Sequence, residues 1–203
     1  INSAEALMEF NFANAIDRLT RTEKAMIVYS AGNGEPVDAR TYDLSENVLK
    51  ADYKFQPVDM NAIPGIPASV QLLMIVKPAK PFSDETKLKI DQFVMRGGKL
   101  LLFVDKLEAE LDSLQSKKGE VVAYDRGLEL NDMLFKYGVR INSDLVMDLQ
   151  CDAIPFVVGG TSGNPQLEFL RWNYYPVLMP AGGKLSKGQG YVAAQFANSI
   201  DTI

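Results

Sequence analysis

The chain has 203 residues, a net charge of −5 and 47% hydrophobic residues, enough apolar material for one large domain with a substantial core. The acidic balance argues against a general nucleic-acid role, which needs a basic patch to displace counterions, and offers no surface for anionic lipid. One cysteine, Cys151, excludes an intrachain disulfide, and the absence of histidine excludes His-based triads, Cys–His dyads and His-ligated zinc.

No run of 18 or more apolar residues is present, so no segment reads as a membrane span. The chain starts at Ile1 rather than Met and shows no signal peptide. The expectation is a fragment of a longer protein, with any membrane anchor outside it.

Residues 3–20 read as a helix, because Met8, Phe12, Ala15, Ile16 and Leu19 follow the 3.6 period and Ser3 suits an N-cap. Lys24–Ser30 (KAMIVYS) is a buried-strand run closed by the glycine turn AGNGE. Residues 38–51 read as a second helix with Leu44, Val48 and Ala51 on one face. Tyr53–Asp59 alternates as a strand. A Pro-rich connection, Ile63–Pro67, leads to the strand Val70–Val76.

The clearest local signal follows. Ser83 is an N-cap, Asp84 and Glu85 suit the positive end of a helix, and Ile90, Phe93, Val94 and Gly97 fall at i, i+3, i+4 and i+7. Gly97–Gly98 ends that helix, since a left-handed C-cap costs glycine little. Lys99–Asp105 is the next strand. Its continuous apolar run predicts a sheet covered on both faces, and strands separated by helices predict parallel pairing.

Beyond Asp105 the pattern changes. Leu107–Ala123 reads as an exposed polar loop, Leu128–Tyr137 as a helix stopped by Gly138, and Val139–Ile141 and Leu145–Leu149 as short strands. From Cys151 onward Gly, Pro and aromatics are dense, which predicts loops and short strands until Gly190–Phe196. The fold class is therefore α/β: an open, mostly parallel sheet flanked by helices, flavodoxin-like, with an irregular β-containing C-terminal extension. Residues 1–203 read as a single domain, with its core at about 20–150 and the extension at about 151–203.

In an open parallel sheet, ligands bind beyond the carboxyl ends of the strands. Gly32–Glu35, Lys77–Lys80 and Asp105–Lys106 converge on that edge. Gly32, Asn33, Gly34, Glu35, Lys77, Asp105 and Lys106 are the candidate ligand-binding residues. They offer backbone N–H groups, carboxylates and lysines; the plain alternative is ordinary loop chemistry. AGNGE supplies only G-x-G, short of a dinucleotide fingerprint, and Glu35 would repel phosphate. GGKLSKGQG near Gly182 lacks Walker spacing and reads as a basic hairpin or turn.

Asp105, Asp144, Asp148 and Asp152 are acidic positions around strands, but no spacing singles out a metal site or an acid–base pair. Cys151 has no base and reads as a structural thiol. No cofactor is implied. Phe169–Pro176 (FLRWNYYP) reads as a packing cluster before a sugar platform or partner surface.

Several stretches together resemble one family: KAMIVYSAGNGE, VQLLMIVKPAKPFSDETKLKIDQFVMRGGKLLLFVD, LELNDMLFKYGVRINSDLVMDLQ and FLRWNYYPVLMP. It is the gliding-motility-associated ABC-transporter auxiliary component, also described as a substrate-binding protein. The likeness covers roughly residues 20–180. Where the family often has Gly-His-Gly-Glu, this chain has Asn33 in place of the histidine.

The resemblance implies a non-catalytic, extracytoplasmic domain on the periplasmic side of the inner membrane. It would be tethered by anchors outside this fragment, partner an ABC permease and ATPase, and take a small-molecule or glycan ligand. The centre also resembles the glutamine-amidotransferase-like fold. Those enzymes place Cys after a core strand, where this chain has Asp105 and Lys106. Two other classes stay open: a carboxylate-dependent hydrolase or transferase at the sheet edge, and a structural assembly module.

Overall fold

Four parallel strands in the order β2-β1-β3-β4 organise the first half of the chain. The computed structural model describes residues 2–109, 122–161, 163–179 and 190–203. Its elements are α1 (Asn2–Thr20), β1 (Met26–Ala31), α2 (Ala39–Tyr42), a π-helical turn (Asp43–Leu49), α3 (Lys50–Asp52), β2 (Lys54–Asp59), β3 (Val70–Val76), α4 (Asp84–Met95) and β4 (Lys99–Phe103). Then come β5 (Leu107–Glu108), β6 (Tyr124–Asp125), α5 (Asn131–Lys136), β7 (Val139–Ile141), β8 (Cys151–Thr161), β9 (Asn164–Leu178), β10 (Val192–Ala193) and β11 (Ile200–Thr202). The architecture is α/β, a parallel sheet flanked by helices followed by an antiparallel, strand-rich C-terminal region. Among the described residues no helix is long and apolar enough to cross a membrane.

Contacts divide the chain into two units. One comprises Ala15–Lys106, Arg126–Ile141 and Asp201–Ile203; the other comprises Ile1–Asn14, Leu107–Asp125 and Asn142–Ile200.

In the sheet unit, β1 and β3 are central, and their apolar runs bury both faces as parallel strands require. Val28, Leu73 and Ile75 face Ile90 and Phe93 of α4 and Met133 and Leu134 of α5. Ile27, Tyr29 and Met74 face the other way, onto Leu44 and Leu49. Those two leucines are five residues apart, the i→i+5 spacing of the π turn between them. The helix expected over 38–51 therefore forms with a π-wound middle, because that winding brings both leucines to the sheet.

α4 forms as its caps predict. The Ser83 side chain accepts the Thr86 N–H, and Gly97 takes φ +90° at the far end. The Gly98 N–H then donates to the Phe93 carbonyl, and a Cβ on Gly98 would collide with the Phe93 ring. The helix expected over Leu128–Tyr137 is shorter, Asn131–Lys136. Leu128 precedes it, with its carbonyl accepting the Phe82 N–H.

The expectation of full cover fails at β4. Lys99, Leu101 and Phe103 alternate as exposed positions, and Phe103 is 55% exposed. A continuous apolar run therefore marks the edge strand here as well as the centre. The apolar positions of α1 are also exposed: Met8, Phe12, Ile16 and Leu19, the last by 87%.

The second unit departs further from its expected loops. β8 and β9 form one long antiparallel hairpin, with Ile154 opposite Leu170 and Val157 opposite Leu167. Pro155, Pro165 and Pro176 and the Gly159–Gly160 pair disguised it, since all are turn signals. β10 pairs with β9 at Val177–Leu178, but most of the ribbon has open edges where proline is tolerated, and the register shifts between Val157 and Gly159. Its base packs Ile154 and Tyr175 on Phe196, with the Tyr175 and Phe196 rings edge-to-face at 5.2 Å. Trp172 and Tyr174 join that cluster, so FLRWNYYP packs through its second half while Phe169 and Leu170 stay exposed.

Leu145–Leu149 is not a strand. Val146 and Asp148 each donate one N–H, to the carbonyls of Ala197 and Asn173, without a continuous ladder. Leu107–Glu108 pairs with Tyr124–Asp125. The rest of the loop expected there, and most of GGKLSKGQG, lie outside the described residues.

The asymmetry of cover has a measurable result. Ile75, fully buried, should cost about 2–5 kcal/mol on truncation to alanine. Leu101→Ala on the open face of β4 should cost less than about 1 kcal/mol. Denaturant unfolding of the two variants checks the difference.

Candidate functional site

The carboxyl edge of the sheet is built around the turn after β1. Gly32 and Gly34 adopt φ +107° and +84°, conformations open to glycine and strained for other residues. A Cβ on Gly32 would collide with the side chains of Asp59 and Asn61, and one on Gly34 would lie 3.0 Å from the Ala79 methyl. Both glycines thus mark close approach between neighbouring strand exits.

Glu35 turns inward and is only 5% exposed. Its Oε1 accepts the Ser30 hydroxyl at 2.6 Å and its Oε2 accepts the Asn33 N–H at 2.8 Å. The carboxylate therefore fastens its own turn. Asn33 carries the fastening to the next loop. Its carbonyl accepts the N–H groups of Ala79 (2.9 Å) and Lys80 (2.8 Å), and its Nδ2 donates to the Pro81 carbonyl (2.9 Å). Asn33 is 3% exposed, and its Oδ1 has no hydrogen-bond partner.

The β2 exit joins the same edge. Asp59 Oδ1 accepts the Asn61 N–H at 2.8 Å, and Asn61 Oδ1 accepts the Thr86 hydroxyl at 2.9 Å. Lys89, buried under this exit, donates to the Met60 carbonyl and pairs with Glu85.

The other expected residues divide. Lys77 takes φ +47°, unusual for a residue with a Cβ, while its N–H donates to the Phe103 carbonyl at 2.7 Å. Its Nζ stands 4.0 Å from Asp105 Oδ2, with both side chains a little over one-third exposed. Lys77 and Asp105 thus form a charged pair on the rim. Lys106 points elsewhere, to the Ile141 carbonyl at 3.1 Å.

The sequence reading missed Ser30, Asp59, Asn61 and Thr86. Ser30 carried one signal, a hydroxyl at the end of an otherwise apolar strand; the others gain meaning only from strand order.

A recess of ≈ 220 Å³ opens beside the π turn, lined by Tyr29, Asp38, Tyr42, Glu46 and Phe55 among others, and by none of Glu35, Lys77 or Asp105. Among the described residues no group of three acidic or cysteine side chains is placed to hold a metal ion. Cys151 is half-buried, its Sγ 3.6 Å from Asn173 Oδ1.

Tyr29 lies beneath the turn and donates to the Pro36 carbonyl at 2.7 Å. Burial, then the nearby Glu35 and Asp38 charges, push its phenol from 10.0 up to about 12. Burial and a hydrogen bond to Asp91 push Tyr137 to about 12 likewise.

A raised folded-state value adds stability that is intact below pH 10 and is lost as pH rises toward 12. Melting temperature should fall across that window, and less steeply in Tyr29→Phe and Tyr137→Phe. Glu35→Ala strands the Ser30 hydroxyl and the Asn33 N–H in the interior and should cost about 2–4 kcal/mol, measured by denaturant unfolding.

No curated protein matches the chain. Among solved structures, the mmIFT52 N-terminal domain is similar at 14% identity and a TM-score of 0.55, over 88% of this chain and 68% of that one. At that identity the likeness is one of fold alone. The pattern of a family described as an ABC-type uncharacterized transport system matches residues 24–203, including every strand of the sheet and the Gly32–Glu35 turn. The chain belongs to that family of ABC-transport auxiliary components.

Proposed function

We propose that this chain is a non-catalytic, extracytoplasmic auxiliary domain of an ABC transporter, contacting permease or ligand through the rim at Lys77 and Asp105. The observation that carries the reading is Glu35. A carboxylate acting as acid, base or ligand must reach its substrate, whereas both Glu35 oxygens are engaged within its own buried turn. The chain has no histidine to act in its place.

The rim has a different character. Lys77 and Asp105 present opposite charges side by side, each a little over one-third exposed, which suits a polar ligand or a complementary pair on a partner. The strained Lys77 backbone supports the same view, because such strain persists where the surroundings hold it and often where function uses it. Where the bearer glides, the same system would serve gliding. Tethering by anchors outside this segment would hold the domain beside the permease.

The test uses the full-length protein with its permease and ATPase in liposomes. Lys77→Glu should reduce coupled ATPase activity or transport severalfold, and Lys77→Glu with Asp105→Lys should recover part of the loss. Unchanged activity in both variants would remove the rim from function. In intact cells the domain should be cleaved by protease after the outer membrane is opened; cleavage only after inner-membrane lysis would overturn the extracytoplasmic placement.

A further inference from the structure

Among the described residues two apolar faces stay exposed, one on a strand and one on a helix. An α/β sheet is stable with helices on both faces. Here α4 and α5 cover one face, while among the described residues Leu44 and Leu49 of the π turn pack on the other over β1 and its neighbours. Among the described residues, no helix covers the second face at the β4 end. Leu101 and Phe103 are exposed there, in register with the half-buried flank of β3, where Val76 lies opposite Phe103 and Leu72 opposite Lys99. Among the described residues, α1 also carries an exposed apolar stripe. Met8, Phe12, Ile16 and Leu19 lie at i, i+4, i+8 and i+11 of α1, all exposed.

We propose that the α1 stripe of one copy packs on the open face of β4 in a second copy, and reciprocally, giving a two-fold helix-exchanged dimer. Three observations favour a second copy. First, the end of α1 is fastened beside a strand other than β4. Arg18 forks onto the Asp52 carboxylate. Arg21 pairs with Asp17, donates to the Asp52 carbonyl and lies 5.7 Å from the Tyr53 ring centre. Those contacts clasp the end of α1 beside the start of β2, at the opposite edge of the sheet from β4.

Second, the charges match. Glu9 flanks the helix stripe, Lys99 shares the exposed face of β4, and neither has an ion-pair partner among the described residues. Third, the sizes match. Met8 to Leu19 spans about 16 Å of helix and Lys99 to Phe103 about 13 Å of strand. Each seat would join about eight apolar side chains, so two seats would bury on the order of 1,000 Å², the area a specific interface requires.

Sedimentation of the 203-residue chain should show a monomer–dimer equilibrium. Phe12→Asp and Phe103→Asp, both at exposed positions, should each raise the dissociation constant by roughly 10–100-fold. Their melting curves should stay monomer-like and cooperative.

A second measurement does not depend on disruption. In a Cys151→Ser background, Phe12→Cys and Phe103→Cys chains should form an intermolecular disulfide when mixed and little when kept apart. A monomer at every concentration would overturn the proposal. Cross-linking within unmixed Phe12→Cys chains would show helix–helix pairing instead, and within unmixed Phe103→Cys chains would show pairing of β4 edges; either would overturn it as well.

Discussion

A single buried carboxylate holds the edge of this sheet together. Taking Glu35 out of water is costly unless its oxygens are satisfied, and the Ser30 hydroxyl and Asn33 N–H satisfy them. That arrangement fixes Asn33, whose carbonyl and amide then set the path of the loop leaving β3. The loop in turn positions Lys77 beside Asp105 at the end of β4. Three strand exits therefore share one hydrogen-bond system whose innermost member is buried. Lys77 and Asp105 stand in part in solvent at the rim, and the buried turn serves as their foundation.

Beneath that edge the core is unevenly distributed. Ile90 and Phe93 of α4, with Met133 and Leu134 of α5, make a continuous layer under β1 and β3. The opposite layer rests on a short helical stretch and thins out toward β4. A sheet face completed by a second copy, as proposed above, would couple folding of the part to formation of the whole. The hairpin unit shows the same economy. Its aromatic base is packed around Phe196, while Val157, Leu167 and Phe169 remain in solvent along the ribbon.

The sheet was legible because its signals are local. Ser83 with its two acids, Gly97–Gly98 and the runs at Val70–Val76 and Lys99–Phe103 each state an element by themselves. The convergence of Gly32–Glu35 with the β3 loop was also readable, since parallel strands bring their exits to one edge. The direction of Glu35 was not. A Gly-x-Gly-Glu turn offers its carboxylate inward or outward, and Ser30, five residues earlier, decides. The β8–β9 hairpin was hidden for the opposite reason: prolines and paired glycines that end most strands are accommodated along the stretch of ribbon beyond its pairing with β10. Cover of β4 was beyond reach, because LLLFV reads alike at the centre and at the margin of a sheet.

The π turn at Asp43–Leu49 bears on how related chains align. Leu44 and Leu49 reach one face because the winding absorbs one residue more than an α-helix would between the same two contacts. A relative lacking a single residue in this stretch keeps both contacts by winding normally. One-residue gaps between Asp43 and Leu49 therefore record a change of helical pitch with the sheet left in place, and residues on either side of such a gap remain equivalent in space.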